Sequence, residues 1–196
     1  MKSKGRAYRM TARARTVEQT RARILDAVVT LHLERHSADI SLADMAAAAG
    51  VSVQTVLRHF GTRDGLVEAA RDRAIAEVEE ERRTEPGDVS GAVRVVVDHY
   101  ARRGDGVLVL LAQEGTEAFA TEVTSRGRSM HREWVVESFG PLLPAGRSAE
   151  QVVDLLVVAT DVYTWKLLRR DRGLSPTRTR QRMEALVRAV LATDQR

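Results

Sequence analysis

Between Ser41 and Phe60 the chain reads SLADMAAAAGVSVQTVLRHF, and few architectures accept that run. Ser41-Leu42-Ala43-Asp44 places a hydroxyl three residues ahead of an acid, as at the start of a capped helix. Leu42, Met45, Ala46 and Ala49 then recur at helical spacing. Gly50 can take the positive φ that closes a helix. Ser52 can cap a second helix that turns Val56 and Phe60 inward, and small alanines stand where two helices must approach closely.

The pattern predicts a helix, a tight turn and a second helix. In a helix-turn-helix that second helix lies in the major groove of DNA. Its outward residues are Ser52, Val53, Gln54, Thr55, Arg58 and His59. Gln can read adenine through two bonds and Arg can read guanine, whereas Thr, Ser and His can reach phosphates. An ordinary helical hairpin with a polar outer face gives the same pattern.

Helical spacing continues on both sides. Ile24, Val28 and Leu31, widened by Leu25 and Ala27, form the apolar face of a preceding helix. Thr62 can cap a further helix reaching about Arg83, whose Glu77–Glu81 cluster, with Arg82 and Arg83, reads as a solvated face. Thr84-Glu85-Pro86-Gly87-Asp88 punctuates a shift in composition and is the expected domain boundary. Beyond it, Val93, Val96, Val97 and Tyr100 keep helical spacing, and Gly104-Asp105-Gly106 is expected to break the chain before a short apolar piece, Val107–Ala112. Phe119, Val123, Met130 and Trp134 mark a long helix ending near Phe139. Ser148-Ala149-Glu150-Gln151 is a capping box for a helix expected to run to about Arg170. Ser175-Pro176 opens a last helix carrying Met183, Leu186, Val187, Val190 and Leu191 on one face. The expected fold is all-α, a three-helix N-terminal helix-turn-helix domain plus a C-terminal helical domain. The expected division is a basic arm at 1–17, a DNA-binding domain with its linking helix at 18–83, and a ligand-binding and dimerisation domain at 84–196.

Charge is unevenly placed. Of a net +4, residues 1–17 contribute Lys2, Lys4, Arg6, Arg9, Arg13 and Arg15 with no acid, leaving the remainder at −2. Such an arm suits either a polyanion-binding tail or a solubilising terminus. With 43% hydrophobic and 30% charged residues the chain can bury a core and stay in solution. The absence of Cys excludes disulfides and fits a reducing cytoplasm, the expected location. No apolar run is long enough to span a bilayer, and no apolar stretch after the basic start suggests a secretory signal.

Other chemistries find little support. His32 and His36 are four apart on one helix, but no third ligand accompanies them, so no metal site is expected. Glu114, Glu117 and Glu122 could act as acids in a helical pocket. There is no nucleophile elbow, phosphate loop or metal triad, so neither an enzyme nor a cofactor is expected.

The segments Arg23–Ala27, Ile40–Ala46, Ala49–Ser52, Thr55–Phe60 and Arg63–Leu66 together resemble the tetracycline-repressor (TetR) family of bacterial regulators in order and spacing. The C-terminal half resembles it only loosely, through Thr164–Gly173. The resemblance implies that Ser41 bonds a phosphate, that Gln54, Thr55 and Arg58 face bases or adjoining backbone, and that His59 and Arg63 touch phosphate. Leu57 stands where Tyr is usual, so one phosphate-contacting hydroxyl is missing. His36 replaces a usual Gly, and His32 a usual Phe.

The resemblance also implies a homodimer, formed through the helices near 149–170 and 176–192, on double-stranded operator DNA. A small-molecule effector would release it, and repression is the family's default. Val93–Tyr100, Val107–Ala112 and Phe119–Trp134 turn apolar faces toward one volume, which is either a solid core or a cavity. Candidate effector contacts are Val96, His99, Gln113, Glu114, Met130, Trp134 and Tyr163.

Overall fold

The computed structural model describes the backbone of residues 3–146 and 148–193, and the side chains of 15–36, 38–146 and 149–192. The side chains of Lys2, Lys4, Arg6, Arg9 and Arg13, expected in the basic arm, lie outside the described residues, as does that of Ser148, the expected cap. Every regular element among the described residues is helical. The chain divides into two compact units, Met1–Ala76 and Glu77–Arg196, and the division falls within a helix.

The first unit contains α1 (Ser3–Glu34), α2 (Leu42–Ala48), α3 (Val53–Phe60) and the beginning of α4 (Arg63–Glu81). Ile24 and Val28 of α1, one turn apart, meet Met45 of α2, Val56 of α3 and Leu66 of α4 in a single buried cluster that also takes in Ile40. A residue that fills such a shared core contributes about 1.5–3 kcal/mol by burial, which offsets the weak intrinsic stability of helices as short as α2 and α3. His32 belongs to the buried side of α1, and its Nδ1–H donates to the Val28 carbonyl at 2.8 Å. Burial lowers its pKa and keeps the ring neutral.

The second unit is organised around α5 (Val89–Gln113), which packs against α6 (Ala118–Phe139), α8 (Val162–Lys166) and α9 (Pro176–Thr193). A helix with neighbours on several sides is apolar around much of its circumference, which accounts for burial of Val93, Val95, Val96 and Val97 together. The expected break at Gly104–Gly106 is absent, and α5 runs straight through. Gly104 instead makes room: a Cβ there would lie 2.6 Å from Cζ3 of Trp165 on α8.

Two further expectations are corrected. The helix beginning at Ser148 does not reach Arg170. α7 (Ser148–Ala159) stops, Thr160 and Asp161 intervene, and Asp161 caps α8 by accepting the Tyr163 N–H at 2.7 Å. A π turn, Leu167–Asp171, follows α8. Nor is the Glu77–Glu81 cluster simply solvated, and Arg82 beside it is buried. Glu77 and Glu81 both receive Arg103 of α5, and Glu81 also receives His99 and Arg102. Three donors from one helix hold the Glu81 carboxyl down at about 2, against the opposing effect of its partial burial.

Candidate nucleic-acid interface

The α2–turn–α3 segment is built by local hydrogen bonds. Ser41 forms the expected capping box: its Oγ accepts the Asp44 N–H at 3.1 Å, and Asp44 Oδ2 accepts the Ser41 N–H at 2.9 Å. The Ser41 hydroxyl and N–H both donate to the Asp44 carboxylate and depress it below its ordinary range. At the turn Gly50 has φ +64°, a conformation that costs L side chains about 1–2 kcal/mol. The Val51 N–H then returns to the Ala46 carbonyl at 3.0 Å. Ser52 caps α3 by accepting the Thr55 N–H at 3.1 Å, and its hydroxyl meets that of Thr55 at 3.0 Å.

These caps fix which way α3 faces. Val56 is buried and Phe60 packs against the same core. Ser52, Val53, Gln54 and Arg58 are exposed, whereas Thr55 and His59 are half-buried at the edges of the outward face. Among the described residues neither Gln54 nor Arg58 bonds another protein group, so both keep their full donor and acceptor capacity for a ligand. Leu57 is exposed beside them and supplies no hydroxyl.

Two arginines hold the ends of the segment. Arg63 donates to the Ile40 carbonyl at 3.1 Å and stands 3.7 Å from Asp64, leaving its guanidinium partly exposed near the α2 start. Arg21 lies over the Phe60 ring at 4.4 Å and donates to the His59 carbonyl at 3.1 Å. No motif in the sequence marks Arg21 as part of this segment. Its one signal is position: it continues the Ile24–Val28 stripe of α1, where an apolar residue would be ordinary. The structure thus brings Ser41, Ser52, Val53, Gln54, Thr55, Arg58, His59 and Arg63 together on one helix-turn-helix segment and the start of the next helix.

The candidate effector contacts are dispersed through the second unit. Val96 is fully enclosed in its core. His99 is buried and bonded to Glu81 at 2.8 Å. Trp134 donates its indole N–H to the Arg82 carbonyl at 2.8 Å. Gln113 donates to the Val109 carbonyl within its own helix at 3.0 Å. Glu114 is ion-paired with Arg128, which depresses its carboxyl below the usual range, the wrong direction for a general acid. Met130 is half-buried on α6, and Tyr163 is exposed on α8. A shallow cleft of about 720 Å³ at the α5–α6 corner, bordered by Gly115, Thr121, Ser125 and Ser129, includes none of the seven.

Comparison with known proteins places this geometry. Residues 24–70, which span the helix-turn-helix, match the family model of bacterial regulatory proteins, tetR family. A tetR-family transcriptional regulator from Streptomyces coelicolor superposes with a TM-score of 0.62 at 21% identity, over 89% of each chain. A transcriptional regulator from Rhodococcus sp. Rha1 superposes with a TM-score of 0.60 at 17% identity, over 88% of this chain and 96% of the other. No curated protein matches the chain. Residues 24–70 are thus similar to the tetR family of bacterial regulatory proteins, and the chain shares its fold with solved structures of regulators of that family.

Proposed function

We propose that the protein is a homodimeric repressor that binds a palindromic operator through α3 of each subunit and leaves it when a small molecule occupies the C-terminal unit. The observation that carries the DNA reading is the doubly capped segment presenting Gln54 and Arg58 with no protein partner among the described residues. Gln54 and Arg58 would read base edges, with Val53 beside them. Ser52, Thr55, His59, Arg63 and Ser41 would meet phosphate or the adjoining backbone. The basic residues of 1–17 would add contacts to phosphate that weaken as salt rises.

The homodimer reading rests on α7, α8 with the π turn after it, and α9. Leu155, Val158, Tyr163, Leu167 and Leu186 are 45–63% exposed, a large apolar display on neighbouring helices. A second copy offers the same side chains, and an isologous two-fold contact covers both sets at once. The same axis would set two α3 helices on successive major grooves. An effector would act by preferring the subunit arrangement that does not fit the operator, and DNA would weaken effector binding by the same factor. The protein would work in the bacterial cytoplasm without catalysis or a cofactor.

The test is a mobility-shift titration on DNA upstream of the protein's own gene. Gln54→Ala and Arg58→Ala should each cost about 1–3 kcal/mol and relax base preference, as loss of a bidentate base contact does. Unchanged affinity in both variants would remove α3 as the reading helix.

A further inference from the structure

Arg82 follows the last residue of α4 and is 9% exposed, among the most enclosed charged residues of the second unit. The side chains that meet its guanidinium are uncharged. The guanidinium carbon lies 5.3 Å from the Tyr100 ring centre and 5.9 Å from that of Trp134. Nη1 donates to His131 Nδ1 at 3.2 Å. That Nδ1 therefore carries no proton, and Nε2–H faces Thr160 Oγ1 at 3.1 Å and the Val157 carbonyl at 3.4 Å. Burial and the neighbouring Arg82 cation press His131 down to about 3, so the imidazole stays neutral. Burial pushes Tyr100 up to about 12, and its hydroxyl donates to the Thr160 carbonyl at 3.1 Å.

No carboxylate forms an ion pair with Arg82 among the described residues. The adjacent Glu81 is engaged by His99, Arg102 and Arg103. Asp161 feels the Arg82 charge, but its carboxylate caps α8. Among the described residues no acceptor meets the buried Arg82 Nε–H. A buried charge is ordinarily paired, and a buried donor is ordinarily bonded. The Nε side of a guanidinium is an edge that grips a carboxylate through two parallel bonds.

We propose that Arg82 anchors the effector, and that the effector is a carboxylate attached to an apolar body. The carboxylate takes the unpartnered Nε edge and supplies the ion pair that Arg82 lacks among the described residues. Tyr100, Trp134 and the valines of α5 offer the apolar part its contacts. This deepens the proposed effector response and rests on the reading that the C-terminal unit binds a small molecule.

The probes are benzoate and octanoate, with benzamide and octanamide as neutral counterparts of the same shape. Binding to the full-length protein is followed by tryptophan fluorescence, since Trp134 stands beside Arg82. At least one carboxylate should quench saturably, its amide should bind at least tenfold more weakly, and Arg82→Gln should lose at least tenfold in affinity for the acid. Arg82→Lys should retain part of it. Absence of saturable binding by either carboxylate, equal binding of acid and amide, or an undiminished Arg82→Gln would overturn the proposal. If Arg82→Gln does not fold, the acid–amide comparison on the unaltered protein decides. A mobility shift in parallel separates the two readings. Carboxylate binding through Arg82 without release of DNA contradicts the effector reading and leaves the anion site standing. Release of DNA by a neutral compound, with no carboxylate bound, supports an effector response and removes the site.

Discussion

Gly104 and Gly127 are both interior to helices, and the structure assigns opposite signs to their replacement by Ala. At Gly104 the new methyl would meet the rigid indole of Trp165 at 2.6 Å, whereas at Gly127 nothing lies within 4 Å. Gly104→Ala should therefore destabilise by about 1–3 kcal/mol through overpacking. Gly127→Ala should stabilise by about 0.5–1 kcal/mol through helix propensity. Urea midpoints of the two variants check this, and the same sign for both would contradict it. A second residue-scale consequence concerns His99 and His131, each depressed to about 3 by burial and by the Arg82 charge. In the unfolded chain each takes its proton near 6.5, so the unfolded state binds more protons as pH falls from 6.5 toward 3. The stability they contribute is therefore present above 6.5 and lost through that window, at roughly 1.4 kcal/mol per pH unit for each ring at the limit. Glu81, held at about 2, works with the same sign at lower pH, between its ordinary value and 2. Urea midpoints measured from pH 7 to pH 4 should fall less steeply in His99→Gln/His131→Gln than in the parent. Parallel profiles would contradict neutral burial of the rings.

At the scale of elements, the caps of α3 tie local chemistry to binding. Ser52→Ala should cost about 0.5–2 kcal/mol of stability. It should also weaken DNA binding, because α3 loses the bond that fixes its first turn. Thermal unfolding and a mobility shift on one preparation check both, and a change in neither would show the cap to be dispensable. Caps and turns were legible in the sequence because their chemistry is local: Ser41 with Asp44, Gly50, Ser52 and Thr62 each act within a few residues. What could not be read there depends on partners distant in the chain. Gly104 reads as a breaker until Trp165 is seen against it. Glu77 and Glu81 read as solvent-facing until α5 brings Arg103 to them. Asp161 is a strong cap inside a continuous apolar run, and apolar periodicity hid the break. Arg21 continues the Ile24–Val28 stripe of α1, and only the structure shows it holding the end of α3.

For the molecule as a whole, the N-terminal unit was the more legible part, since one segment contains both its core pattern and its outward side chains. The C-terminal unit was legible as helices but not as a site. Val96 and His99 share apolar spacing with an ordinary core, and Arg82, whose missing counter-charge is visible only in three dimensions, carries no periodic signal. The central claim is that two copies of α3, related by a two-fold axis, read DNA bases through Gln54 and Arg58. Selection of bound duplexes from a randomised pool, followed by sequencing, tests it most directly. The account predicts recovery of an inverted repeat whose half-site centres lie about one helical turn, or a multiple of it, apart, and loss of one base preference per half-site in Arg58→Ala. Recovered sequences with no inverted repeat, or the same preferences from Arg58→Ala as from the parent, would contradict it.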